Sequence, residues 1–85
     1  MAIRSFGAHV AKALRSWLSR LQTIVDQAQV RGETRPGVDP KAVATLIVAS
    51  LEGALMMSRI QRSDEALQRV QAHLNRYLDE EVAEA

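Results

Sequence analysis

Apolar residues recur along the chain at helical spacing in three separate stretches. In the first, Ile3, Phe6, Val10, Leu14, Trp17, Leu18, Leu21, Ile24, Val25 and Ala28 follow one another at steps of three and four, while Arg4, Lys12, Arg15, Ser19, Arg20 and Gln27 lie off that stripe. This pattern predicts one amphipathic helix over about 3–30. Gly7 weakens its first turns, which are expected to fray. In the last stretch Leu67, Val70, Leu74, Tyr77, Leu78 and Val82 form a second stripe and predict a helix over about 64–82. Ser63 or Asp64 is placed to cap it, and Glu80 to Ala85 reads as a fraying acidic end.

The stretch between them has a different pattern. From Ala42 to Met57 only Thr45, Ser50, Glu52 and Gly53 interrupt the apolar residues. Asp39 is placed to cap the first turn, and Pro40 sits where its missing N–H costs nothing, so a helix is predicted over about 39–61. A helix that is apolar nearly all round must be covered on several sides. Two flanking helices in so short a chain leave part of it bare, which argues for a second copy. Gly53 points the same way, since a mid-helix glycine costs about 1 kcal/mol relative to alanine and close approach of another backbone offsets that. Ser50, Glu52 and Gly53 are expected to break the run as a membrane span.

Between the first two helices, Gly32 suits the left-handed position after a helix end, and Pro36-Gly37 suits a turn. The expected fold is therefore all-α, with three helices and short connections, in a single domain of 85 residues. A domain of this size is marginal without disulfides, metal or association. Cysteine is absent and the two histidines, His9 and His73, lie in different helices, so association remains.

Charge is distributed unevenly. Met1–Arg31 carries a net +4 and Ser63–Ala85 a net −4, so the ends are complementary, while the whole chain at +1 is too weakly basic to indicate nucleic-acid binding by charge. The basic, acid-free segment Met1–Leu21 also fits a membrane-surface helix in which Lys12, Arg15 and Arg20 meet anionic lipid, or a transit peptide. Against a transit peptide, the apolar stripe continues past Leu21.

Chemistry is sparse. No nucleophile elbow, zinc-binding His pair or phosphate loop is present, so neither a catalytic residue, a metal ligand set nor a cofactor site is expected. Glu52 is the one acid in the apolar helix and reads more readily as a structural group, paired or solvent-facing, than as a ligand contact. Trp17 lies on its stripe, which fits core packing better than ligand stacking. Met56 and Met57 project to different sides of their helix, so ordinary core filling competes with one facing a cavity and the other a dimer seam. A small helical carrier of an apolar ligand around Trp17, Met56 and Met57 is an alternative function.

The order of these parts carries a resemblance. Gly32-Glu33, Asp39-Pro40, Leu51-Glu52-Gly53-Ala54-Leu55, Ser63-Asp64 and the stripe from Leu67 to Leu78, with Trp17, Leu18 and Leu21 upstream, resemble the C-terminal domain of TetR-family transcriptional regulators. The resemblance covers about Leu14 to Leu78. It implies a bacterial, cytoplasmic regulator, usually a repressor, that is a homodimer. It implies a four-helix bundle built from the last two helices of each copy, with Leu51, Gly53, Ala54, Leu55, Ser58, Leu67, Val70, Leu74 and Leu78 as the candidate seam. It implies a small apolar effector held against the helix that carries Trp17 and Leu21, with Met56 and Met57 as further candidate pocket residues. DNA binding in the family belongs to an N-terminal helix-turn-helix, for which no segment precedes Ile3, so this chain is not expected to bind DNA by itself.

Overall fold

A computed structural model describes the backbone of residues 2–84 and the side chains of residues 12–84. The stripe positions Ile3, Phe6 and Val10, and His9, fall outside the described side chains. Three α-helices form: α1 (Ala2–Val30), α2 (Pro40–Gln61) and α3 (Glu65–Tyr77). A π-helical turn, Leu78–Val82, follows α3. The helices lie nearly in one layer, with α2 packed against both α1 and α3. The overall extents of 46 × 29 × 13 Å reflect this. The long dimension matches the ~43 Å of a 29-residue helix.

The helix ends form where the sequence places them. Gly32 adopts a left-handed φ of +74°, its N–H donates to the Gln29 carbonyl, and the Glu33 N–H donates to the Ala28 carbonyl at 2.9 Å. These bonds satisfy carbonyls that α1 would otherwise leave open. Asp39 sits in extended backbone before α2, and its Oδ1 accepts the Lys41 N–H at 3.0 Å. At the far end of α2 the left-handed residue is Arg62, at φ 52°, with its N–H donating to the Ser58 carbonyl. Ser63 Oγ then accepts the Glu65 N–H at 3.1 Å and opens α3, where Glu65 and Arg69 form an exposed ion pair at 2.7 Å one turn apart.

The chain's last residues depart from expectation. They do not form a continuous α-helix to residue 82 with a loose acidic end. After Tyr77 the helix widens, and the Ala83 N–H reaches back five residues to the Leu78 carbonyl at 2.8 Å. This turn places Val82 inside the molecule, 7% exposed, in a cluster with Val25 of α1 and Val43 of α2. Ala83 runs extended and pairs antiparallel with Thr34. Burying one valine side chain supplies ~1.5–3 kcal/mol, which favours holding an end that carries four exposed acids.

The interior is small. The buried apolar residues are Val25, Val43, Ala44, Val48, Ala54, Ala66 and Val82, and among the described residues no large side chain is fully buried. Larger apolar groups lie at the surface, among them Ile60, Met56 and Ile24. By length and composition α2, with 22 residues, is apolar enough to cross a membrane, so Ser50, Glu52 and Gly53 do not break it as expected. In this fold the same apolarity serves packing on two sides, with Val48 and Leu51 toward α1 and Val43 in the shared core cluster.

Candidate functional site: a groove and an uncovered stripe on α2

Two features flank α2. The first is an open groove against α1. One stretch, about 420 Å³, is lined by Trp17, Arg20, Leu21, Val48, Leu51, Glu52 and Leu55. A second, about 600 Å³, shares Trp17, Glu52 and Leu55 and continues along Leu14, Met56, Arg59 and Ile60. The walls come from the apolar steps of both helices: Leu14, Trp17 and Leu21 on α1 are spaced by three and four, as are Val48, Leu51 and Leu55 on α2. Trp17 is 47% exposed, so it borders the groove rather than filling a closed core. Glu52 is half-buried between the two stretches. Among the described residues it forms no ion pair within 4.0 Å, although Arg20 and Arg59 line the same groove. The groove therefore has apolar walls with one carboxylate and two guanidinium groups along it.

The second feature is an exposed stripe on α2, which Ile60 borders on the α1 side and Leu46 on the α3 side. Leu46 is 42% exposed, Met57 48% and Ile60 76%, and Ala49 is exposed with them. Together with Gly53 these positions are spaced 3, 4, 4 and 3 apart, so they share one face. A Cβ placed on Gly53 would meet nothing within 4 Å. Nothing in the single chain therefore requires glycine at that position.

The expected site residues divide between these features. Trp17, Leu21 and Met56 line the α1–α2 groove, and Met57 does not: it lies on the uncovered stripe. The expected seam residues do not share one face. Gly53 lies on the stripe. Leu55 faces the α1 groove beside Trp17, and Leu51 borders that groove and also the one between α2 and α3. Leu67, Leu74 and Leu78 line the α2–α3 groove with Ile47, and Val70 lies on its other side with Leu46, Ser50, Arg69 and His73. Ala54 is a correction: at 1% exposure its methyl is buried within the single chain, which leaves no surface there for a seam. Ser58 is half-buried, and its Oγ is buried without a hydrogen-bond partner. Leu46, Ala49 and Ile60 lie on the stripe and are not among the expected seam residues. Their spacing was visible, but on a helix apolar all round it has no phase. The described residues hold no group of three or more His, Asp or Glu side chains able to bind a metal ion.

Comparison with known proteins gives this arrangement a family. The chain resembles a TetR transcriptional regulator of known structure from Chloroflexus aurantiacus J-10-FL, with a TM-score of 0.84 and 35% sequence identity over 92% of this chain. The match covers 39% of that regulator, so this chain spans about two fifths of its length. No curated protein matches. Residues 4–74 match the family described as tetracyclin repressor-like, C-terminal domain. The two matches agree, and the chain belongs to the TetR-type C-terminal domain family, which is non-enzymatic.

Proposed function

We propose that this chain is the dimerisation and effector-sensing part of a TetR-like transcriptional repressor and does not bind DNA by itself. In this reading α2 and α3 pair with the same helices of a second copy in a four-helix bundle. The uncovered α2 stripe lies at the crossing, and the α1–α2 groove takes a small apolar effector. Operator contact belongs to a separate helix-turn-helix domain. The effector acts by favouring one arrangement of the dimer over another, and it shifts that equilibrium only by its difference in affinity for the two.

One observation carries the reading: Leu46, Met57 and Ile60 are exposed on a single face around a glycine whose side-chain direction is empty. Exposed apolar residues in a contiguous row mark contact surfaces. The adjacent methionines provide the test, because Met56 lines the groove and Met57 lies on the stripe. Met57→Asp is expected to halve the sedimenting mass while Trp17 fluorescence still responds to the apolar dye anilinonaphthalene sulfonate. Met56→Asp is expected to keep the dimer and lose the dye response. The reading fails if both variants behave alike or if the unaltered chain is monomeric.

A further inference from the structure

The molecule is closed at one end and open at the other. At the closed end α1, α2 and the last turn meet in the Val25–Val43–Val82 cluster. At the open end Trp17 of α1 and Met56 of α2 both line the groove. The closed end also carries a backbone strap. The Arg35 N–H donates to the Val82 carbonyl at 2.8 Å, and the Glu84 N–H donates to the Glu33 carbonyl at 2.9 Å. Glu33 is in turn tied to α1, because its own N–H donates to the Ala28 carbonyl at 2.9 Å. Two hydrogen bonds thus link the chain's last residues to the loop that follows α1, and Glu33 carries that link on to Ala28 in the helix's last turn. Gln29 adds a tie from α1 to the loop's far end, through Nε2 to the Val38 carbonyl at 2.8 Å.

We infer that residues 82–84 are a strap that pins the end of α1 to the end of α3 and makes the valine cluster the pivot on which α1 turns. From Val25 back to Leu14 is 11 residues, a lever arm of ~16 Å. A small rotation at the pivot therefore becomes a larger change in groove width at Trp17. The strap sets the resting angle, and because residues 82–84 follow α3 through the Leu78–Val82 turn, the rotation is transmitted to the α2–α3 pair. The inference rests on the fold alone and stands whether or not the groove takes an effector or the chain dimerises.

Glu84→Pro isolates the strap. Ala83 has φ −71° and ψ 141°, the backbone that a residue before proline adopts, so the substitution removes the Glu84 donor without forcing a rearrangement at Ala83. Glu84→Ala keeps the N–H and is the control. Hydrogen exchange by NMR is measured on the full chain, together with Trp17 emission. The expected result is a protected Arg35 amide in the unaltered chain. Glu84→Pro should speed its exchange roughly 2- to 10-fold, the effect of losing one modest hydrogen bond. The same variant should speed exchange of the α1 amides from Val25 to Val30 and shift Trp17 emission, and Glu84→Ala should do neither. An unprotected Arg35 amide in the unaltered chain overturns the inference. So does faster exchange confined to residues 33–35 with α1 and Trp17 unmoved, which would make the pairing a local tie. Sedimentation of the same samples reports the dimer separately, so failure of the strap is distinguishable from failure of the proposed function.

Discussion

Gly53 can be replaced so that folding and association respond in opposite directions. A mid-helix glycine costs about 1 kcal/mol against alanine, and leucine is nearly as good a helix former as alanine. In the single chain an added Cβ meets no atom within 4 Å, so no clash opposes the gain. Fold stability of a lone subunit should rise by ~1 kcal/mol, or about 4–8 °C in Tm for a domain of this size. At a helix crossing the outcome differs, because inserting methylenes into a packed contact costs ~1–3 kcal/mol. In a two-fold symmetric dimer the same position enters twice, giving ~2–6 kcal/mol. That weakens the dimer roughly 30-fold to 10⁴-fold, at 1.4 kcal/mol per decade. Sedimentation equilibrium on Gly53→Leu and Gly53→Ala measures association. Melting by circular dichroism at one fixed, dilute concentration measures the fold, since Tm of an associating protein depends on concentration. Leucine is expected to dissociate the dimer strongly and alanine weakly, with both monomers melting above the parent monomer. A Gly53→Leu dimer of undiminished affinity would refute the placement of this glycine at a crossing.

Three further substitutions test the fold that presents these surfaces. Asp39→Ala removes the Oδ1 acceptor from the Lys41 N–H, and denaturant unfolding should show a loss of ~1 kcal/mol. Val82→Ala should cost ~2 kcal/mol in the same assay, from two lost methyl groups and the space they leave, whereas a valine in a fraying tail would cost almost nothing. Arg62→Gly should raise stability by ~0.5–1 kcal/mol, because glycine enters the left-handed region without the Cβ penalty that Arg62 bears at φ 52°.

The elements were legible where one residue type has one physical use. Asp39 before Pro40, and Gly32 after α1, mark helix ends because few other residues serve there, and the structure uses both as expected. The turn at Arg62 was not legible, since arginine carries no signal for a left-handed backbone. The strap was hidden for a similar reason: Glu80, Glu81 and Glu84 make the tail polar, and burial of one valine beside them depends on the distant Val25 and Val43. Within α2 the residue types were clear and the faces were not. Periodicity locates an apolar face only where polar residues mark the opposite one, and Ala42–Met57 has few. Neighbouring helices supply the missing phase. They turn Ala54 inward, Leu55 to α1 and Met57 outward, and so separate groove from stripe. The groove itself was half-legible: Trp17, Leu21 and Met56 were expected there, while Arg20 reads from the sequence as part of a polar face and Arg59 carries no signal of its own.

The central claim is that the bare face of α2 is covered by a second copy of this chain. Sedimentation equilibrium of the unaltered chain over a wide concentration range addresses it with no substitution to interpret. The account predicts a reversible transition from the 9.4 kDa subunit to twice that mass, with a melting temperature that rises over the same range. A well-folded 9.4 kDa species at every concentration, with a constant melting temperature, would contradict it.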